Sequence, residues 1–167
     1  MAKQILTAER LREVLNYNPE TGAFTRRWIV GSSVKVGVQA GAIEPSGYRK
    51  IVVDEGKHFA HRLAWLHVTG AWPEHCIDHI NGIKSDNRFV NLRDVQHAIN
   101  VQNRRKVKTG SSSGILGVSP TGRVANPWRA VIGLNGSKFC LGSFPTQELA
   151  YAAYIEAKRR LHPGCTI

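Results

Sequence analysis

Asp78 and His79 stand side by side, and two amides, Asn91 and Asn100, follow at short intervals. An acid and an imidazole thus close an expected strand, and an amide sits on an expected helix. Hydrolysis of a phosphodiester needs this inventory. Water must lose a proton to a base that is neutral near pH 7, and histidine does this without a large pKa shift. A divalent cation must be held by hard oxygen donors while it offsets charge on the phosphate and the leaving oxygen. Aspartate and asparagine supply such oxygens. Each residue alone has a plainer explanation: Asp78 and Asn81-Gly82 can build a turn, and Asn91 can cap one. The base and the hard ligands occurring together favour chemistry.

Other candidates carry less. His61 reads as a buried, hydrogen-bonding residue at a helix start, and His67, His75 and His97 as surface or packing residues. Cys76, Cys140 and Cys165 are far apart and odd in number. With no Cys-x-x-Cys pair, the pattern argues against a structural zinc and against a disulfide framework. A zinc site, were there one, would take the form Cys76–His75–His79.

The elements that must place these residues can be read from the chain. Thr7 is a candidate N-cap for a short helix with Leu11, Val14 and Leu15 on one face. Asn18-Pro19-Glu20-Thr21-Gly22 is a turn into a strand near Phe24, and residues 29–42 read as a loop with short extended pieces. Residues 47–53 form a strand that Asp54-Glu55-Gly56 turns back into a second, near Phe59. His61 to Thr69 is an apolar helix stopped by Gly70. A short strand ends at Ile77-Asp78-His79, followed by a polar loop and a helix from about Asp94 to Arg105, with Asp94 as its cap.

Residues 106–114 combine basic residues with Thr-Gly-Ser-Ser-Ser-Gly and read as a flexible linker. Beyond it, Val118, Trp128–Leu134 and Phe139–Phe144 predict three strands, the last two joined by an Asn135-Gly136 hairpin turn. A helix from Thr146 to Leu161 follows, with Leu149, Ala150, Ala153 and Ala157 on one side. The fold class is therefore α+β in two domains, 1–105 (core about 45–105) and 115–167.

Two resemblances sharpen this. Asp78-His79-Ile80-Asn81-Gly82, the Ser85-Asp86-Asn87-Arg88 loop, Asn91-Leu92-Arg93 and a helix with spaced asparagines resemble the HNH nucleases of phages and mobile introns, and Ala60-His61-Arg62-Leu63-Ala64-Trp65 fits that family's helix. The resemblance implies a ββα-metal fold holding one Mg²⁺ or Mn²⁺. By position, Asp78 and Asn100 become the metal ligands, with Asn103 one helical turn from Asn100. His79 becomes the general base, and Asn91 the residue that braces the loop and orients the His79 ring. Arg62, Arg88 and Arg93 become phosphate contacts, joined by Arg104 and Arg105.

The segment from Ser113-Gly114-Ile115-Leu116-Gly117-Val118 through Thr146–Tyr154 resembles the AP2 DNA-binding domain. That family lays a three-stranded sheet in the major groove, backed by a helix. Here Arg123, Trp128, Arg129 and Lys138 are the candidate contacts, with Ser119 as a further phosphate contact. Cys140 stands where plant members carry a DNA-contacting aromatic, so their base preference does not transfer.

Charge agrees with a polyanionic partner. Against 12 acidic residues stand 23 Lys and Arg, a formal +11. Residues 1–113 carry net +7 and residues 114–167 net +4, so both halves are basic. The expected partner is double-stranded DNA, bound by a monomer or weak dimer without a small-molecule cofactor. No signal peptide or membrane span is legible, and a bacterial cytoplasm is the expected compartment. The expected activity is metal-dependent endonucleolysis of the phage-encoded homing type. The rivals are a non-catalytic DNA-binding regulator and an RNA-cleaving enzyme of the same chemistry.

Overall fold

The computed structural model describes residues 5–27, 36–107 and 109–167. The extreme N-terminus, much of the expected 29–42 loop and Lys108 of the expected linker lie outside the described residues. The chain divides into two compact units, Met1–Gln96 and His97–Ile167, a division that falls ahead of residues 106–114.

The first unit opens with α1 (Ala8–Val14), N-capped by Thr7, whose hydroxyl accepts the Arg10 amide at 3.2 Å. Leu15 continues the apolar spacing of α1, yet its backbone is already extended (φ −132°). It begins β1 (Leu15–Asn18), which pairs antiparallel with β2 (Ala23–Arg26). Asn18 Oδ1 accepts the amides of Glu20 and Thr21 and so closes the expected turn. A three-stranded sheet follows in the order β3 (Ala42–Ile43), β4 (Arg49–Val53), β5 (Gly56–Phe59). Asp54 and Glu55 both adopt positive φ at its tight turn.

Strand β5 runs straight into α2 (Ala60–Thr69), which ends on Gly70 in the left-handed conformation. Leu63, Ala64 and Leu66 of α2 pack with Leu11, Leu15, Phe24, Ile51, Val53, Ile77 and Leu92 in the first core. Each large aliphatic there contributes about 1.5–3 kcal/mol of burial free energy.

Strand β6 (Cys76–His79) pairs antiparallel with β7 (Leu92–Val95), and a single 3-10 turn, Phe89–Asn91, precedes β7. This corrects the expected helix from Asp94. Residues 92–95 are extended because they pair with β6, and the next helix, α3, spans only His97–Gln102. Asp94 is not a helix cap: its carboxylate accepts the amides of Glu74 and His75 at 2.8 and 3.0 Å.

The second unit holds α3, a sheet in the order β10 (Ser137–Phe144), β9 (Trp128–Leu134), β8 (Val118–Pro120), and α4 (Gln147–Leu161). Asn135 and Gly136, both at positive φ, make the expected hairpin turn. The register shifts between Cys140 and Gly142, a bulge at Leu141. Thr146 caps α4 through the Leu149 amide at 3.3 Å.

The core face of α4 is Ala150, Tyr154 and Ala157, packed with Val118, Ala130 and Ile132. Leu149, expected on that face, is 51% exposed, because the helix turns Ala150 inward in its place. Residues after α3 join this unit rather than standing free. Lys158 Nζ donates to Arg104 O at 2.6 Å, Arg105 donates to Thr166 O at 2.8 Å, and Asn103 Oδ1 accepts the Thr166 hydroxyl. Ser113, in the expected linker, donates its hydroxyl to Val118 O at 2.6 Å. Among the described residues no helix is long and apolar enough to cross a membrane.

Candidate active site

The site begins where β6 ends. Asp78 and His79 are both buried, and their cross-strand partners are Arg93 and Leu92. The loop between β6 and β7 is shaped by polar side chains rather than by a core. Asn91 Oδ1 accepts the Asn81 amide at 2.9 Å, and Asn91 Nδ2 donates to Asn81 Oδ1 at 3.0 Å and to Asp86 O at 2.9 Å. Asn81 Nδ2 in turn donates to Asp86 Oδ2 at 2.7 Å. The Arg88 guanidinium grips Asp86 at 2.6–2.8 Å and holds that carboxyl down at about 2.

The imidazole of His79 has its Nε2 3.3 Å from Asn87 Oδ1. An amide oxygen only accepts, so this contact puts the ring proton on Nε2 and makes Nδ1 the basic nitrogen. Burial pushes the His79 pKa down, opposed by the Asn87 contact and by Asp78 and Asp86. The ring is therefore a neutral base at neutral pH. Asn87 itself is buried, and its backbone carbonyl accepts the Tyr17 hydroxyl at 2.7 Å. Gly22, at φ +69°, lies so close that a Cβ there would come within 2.4 Å of the Arg88 nitrogen. The β1–β2 hairpin thus seats the segment that carries Asn87.

Beside His79 stands an aromatic wall. The His61 ring meets it edge-on with centroids 5.1 Å apart, Tyr48 lies at 6.0 Å, and Phe59 stacks on His61. His61 is buried as expected, but its Nδ1 has no hydrogen-bond partner among the described residues. Burial first, then the neighbouring His79 and Arg62, pushes its pKa down to about 3, so it serves as a neutral ring. Lys84 lies 4.7 Å over the Tyr48 ring and donates to Ser46 O at 2.9 Å, which brings an ammonium to the rim of the wall.

The expected site residues divide as follows. Asp78, His79 and Asn91 are brought together in the first unit. Asn91 clasps the loop, while the amide on the His79 ring is that of Asn87. Asn100 stands on α3 in the second unit. His67 packs on Tyr17 and Phe24, and His75 lies 3.8 Å from Asp94. Arg62 lies over Trp72 and donates to His75 O at 3.3 Å. Arg93 donates to Asp78 Oδ2 through Nε at 2.9 Å and through a terminal nitrogen at 2.7 Å. With Arg88 on Asp86, every arginine expected to hold phosphate in this unit has a partner within the chain. Among the described residues no three His, Cys, Asp or Glu side chains cluster in a way that could hold a metal ion.

In the second unit the register separates the two faces of the sheet. Arg129 pairs with Ser119 on β8 and Ser143 on β10, while Lys138 pairs with Gly133. Arg129 and Lys138 are exposed, and alternation places them on the face opposite Ala130 and Ile132, which pack with α4. Trp128, one residue from Arg129, instead packs against the core. Arg123 is exposed in the loop between β8 and β9.

Residues 58–102, which run from β5 through α2, β6 and β7 to the end of α3, match the model of a family described as HNH endonuclease. No curated protein and no solved structure gives a significant match. The family match supports the HNH part of the chain and a nuclease function in general. Asn87, Tyr48 and Lys84 were not singled out in the sequence. Asn87 was visible only as one letter of the Ser85–Arg88 loop, and no spacing rule ties it to His79.

Proposed function

We propose that this protein is a DNA endonuclease that hydrolyses phosphodiester bonds with one bound Mg²⁺ or Mn²⁺. The observation that carries the reading is the buried imidazole of His79, its Nε2 3.3 Å from Asn87 Oδ1, adjacent in sequence to the buried carboxylate of Asp78. The donor chemistry fits a hard dication. Asp78 offers carboxylate oxygens, the hard donors such a cation takes. When bound, the cation supplies charge stabilisation to the phosphate and the leaving oxygen.

The chain's own residues do the rest. His79 Nδ1 takes the proton of the attacking water, and the Nε2–H bond to Asn87 stabilises the imidazolium that forms. Asn91 and Asn81 hold the loop, so that the ring does not have to reorganise. Lys84, at the rim of the aromatic wall, attracts the phosphate backbone. Cleavage leaves a 5′-phosphate and a 3′-hydroxyl. The second unit acts as an AP2-like DNA reader through Arg129, Lys138 and Arg123, raising affinity and biasing the site. The motif order, similar to that of phage and mobile-intron enzymes, favours a homing-type endonuclease acting in a bacterial cytoplasm. A monomer would nick one strand, and a dimer or a second event would cut both.

Nicking of supercoiled plasmid by the purified chain tests this. Relaxed product is expected with Mg²⁺ or Mn²⁺ and none with EDTA, and duplex DNA should outcompete structured RNA. Arg129→Ala should lower the salt slope of DNA affinity by about 1 without altering metal dependence. Specific DNA binding without cleavage in any metal would leave the non-catalytic regulator as the better reading.

A further inference from the structure

The carboxylate of Asp78 is engaged by a cation within the chain. Asp78 and Arg93 face each other across β6 and β7, and two guanidinium contacts fall on one oxygen, Oδ2, at 2.9 and 2.7 Å. The Asp78 side chain is 7% exposed and that of Arg93 is 26% exposed. The pair is thus shielded on the carboxylate side and partly exposed on the guanidinium side. Shielding strengthens the attraction between them and, equally, the repulsion between Arg93 and any dication approaching Asp78. This partial exposure leaves the guanidinium within reach of a polyanion, and phosphate matches its fork of donors as well as carboxylate does.

We infer that Arg93 is a built-in counter-cation that makes cation loading at Asp78 depend on nucleic acid. Without DNA, Arg93 neutralises the carboxylate and opposes metal binding. A backbone phosphate that engages Arg93 draws its charge away, and Asp78 then binds the dication more tightly. Coupling of this kind is reciprocal, so the metal also raises affinity for DNA. The inference rests on the nuclease reading above, and it gives Arg93 a positioning and gating role instead of that of a simple phosphate clamp.

The test uses the full-length chain carrying His79→Ala, so that DNA survives the titration, and follows Mn²⁺ binding by electron paramagnetic resonance against a DNA-only reference. In this parent, excess linear duplex should tighten Mn²⁺ binding about tenfold, within the usual range of coupling between sites. Adding Arg93→Gln should tighten DNA-free Mn²⁺ binding by about tenfold, since a unit positive charge beside the carboxylate is removed. Duplex should then give no further gain. Arg93→Lys, which keeps the charge, should behave like the parent.

Unchanged or weaker DNA-free Mn²⁺ binding in Arg93→Gln, with the parent still binding Mn²⁺, overturns the role of Arg93 and leaves the nuclease reading standing. Should Arg93→Gln not fold, the parent decides: no tightening by duplex overturns the inference. Failure of every variant to bind Mn²⁺ with or without duplex overturns both.

Discussion

Replacing His79 by alanine is expected to slow single-turnover cleavage of duplex DNA by about a hundred- to ten-thousand-fold, the range a positioned general base contributes. The size follows from its surroundings. The ring is buried, its Nε2–H is directed at Asn87 Oδ1, and Tyr48 and His61 pack beside it, so its nitrogen is held in place for proton transfer. Binding to DNA should be retained, because the exposed cations of the protein are untouched. His79→Asn, closer in shape, should lose cleavage equally, which separates loss of the base from loss of packing.

The pH dependence has a definite sign. Burial disfavours the imidazolium, so the folded pKa lies below the ordinary value of about 6.5. The base form therefore persists as pH falls below neutrality, and the acid limb of kcat/KM should lie below about 6.5. A limb above neutrality would contradict the burial argument.

Gly117→Ala should strongly destabilise the second unit. Gly117 has φ +75°, and a Cβ there would fall 2.0 Å from Cδ2 of Tyr154. Left-handed backbone costs an L-residue about 1–2 kcal/mol, and overpacking a filled core costs about 1–3 kcal/mol more. Relief is hard to find. Tyr154 is a core residue of α4, and the Gly117 carbonyl accepts the Val131 amide at 2.8 Å, tying the segment to β9. The expected outcome is a loss of about 2–5 kcal/mol, read as faster hydrogen exchange at the amides of β9 while those of α2 and β4 keep their protection. Equal loosening of both units would show that they do not fold as separate compact bodies.

These cases show where the sequence was legible. The β6 strand, the α2 helix with its Gly70 stop and the Asn135-Gly136 hairpin followed from local rules, because each is set by residues close in the chain. Two short segments did not follow. Leu15 keeps the apolar spacing of α1, and only its pairing with Arg26 shows that it is extended. Residues 92–95 are too few to display a period, and it is β6, more than a dozen residues earlier, that makes them a strand.

The site divides in the same way. Asp78, His79 and Asn91 could be named because chemistry dictates their types. Asn87 could not, because its amide reaches His79 only once the loop has closed. Arg93 read as a phosphate contact, since a cross-strand register, invisible in a single sequence, is what sets it opposite Asp78. Trp128 and Leu149 exchanged their expected surroundings for a similar reason: one residue of register decides which face of a sheet or helix is covered.

The most direct test is a metal titration of cleavage. Chain stripped with EDTA should cut a labelled duplex only as Mg²⁺ is restored, with a rate that saturates, while Asp78→Asn binds the same duplex and stays uncut at every Mg²⁺ concentration. Cleavage by the stripped protein, or cleavage by Asp78→Asn at the wild-type rate, would contradict a cation held at Asp78 beside the His79 base.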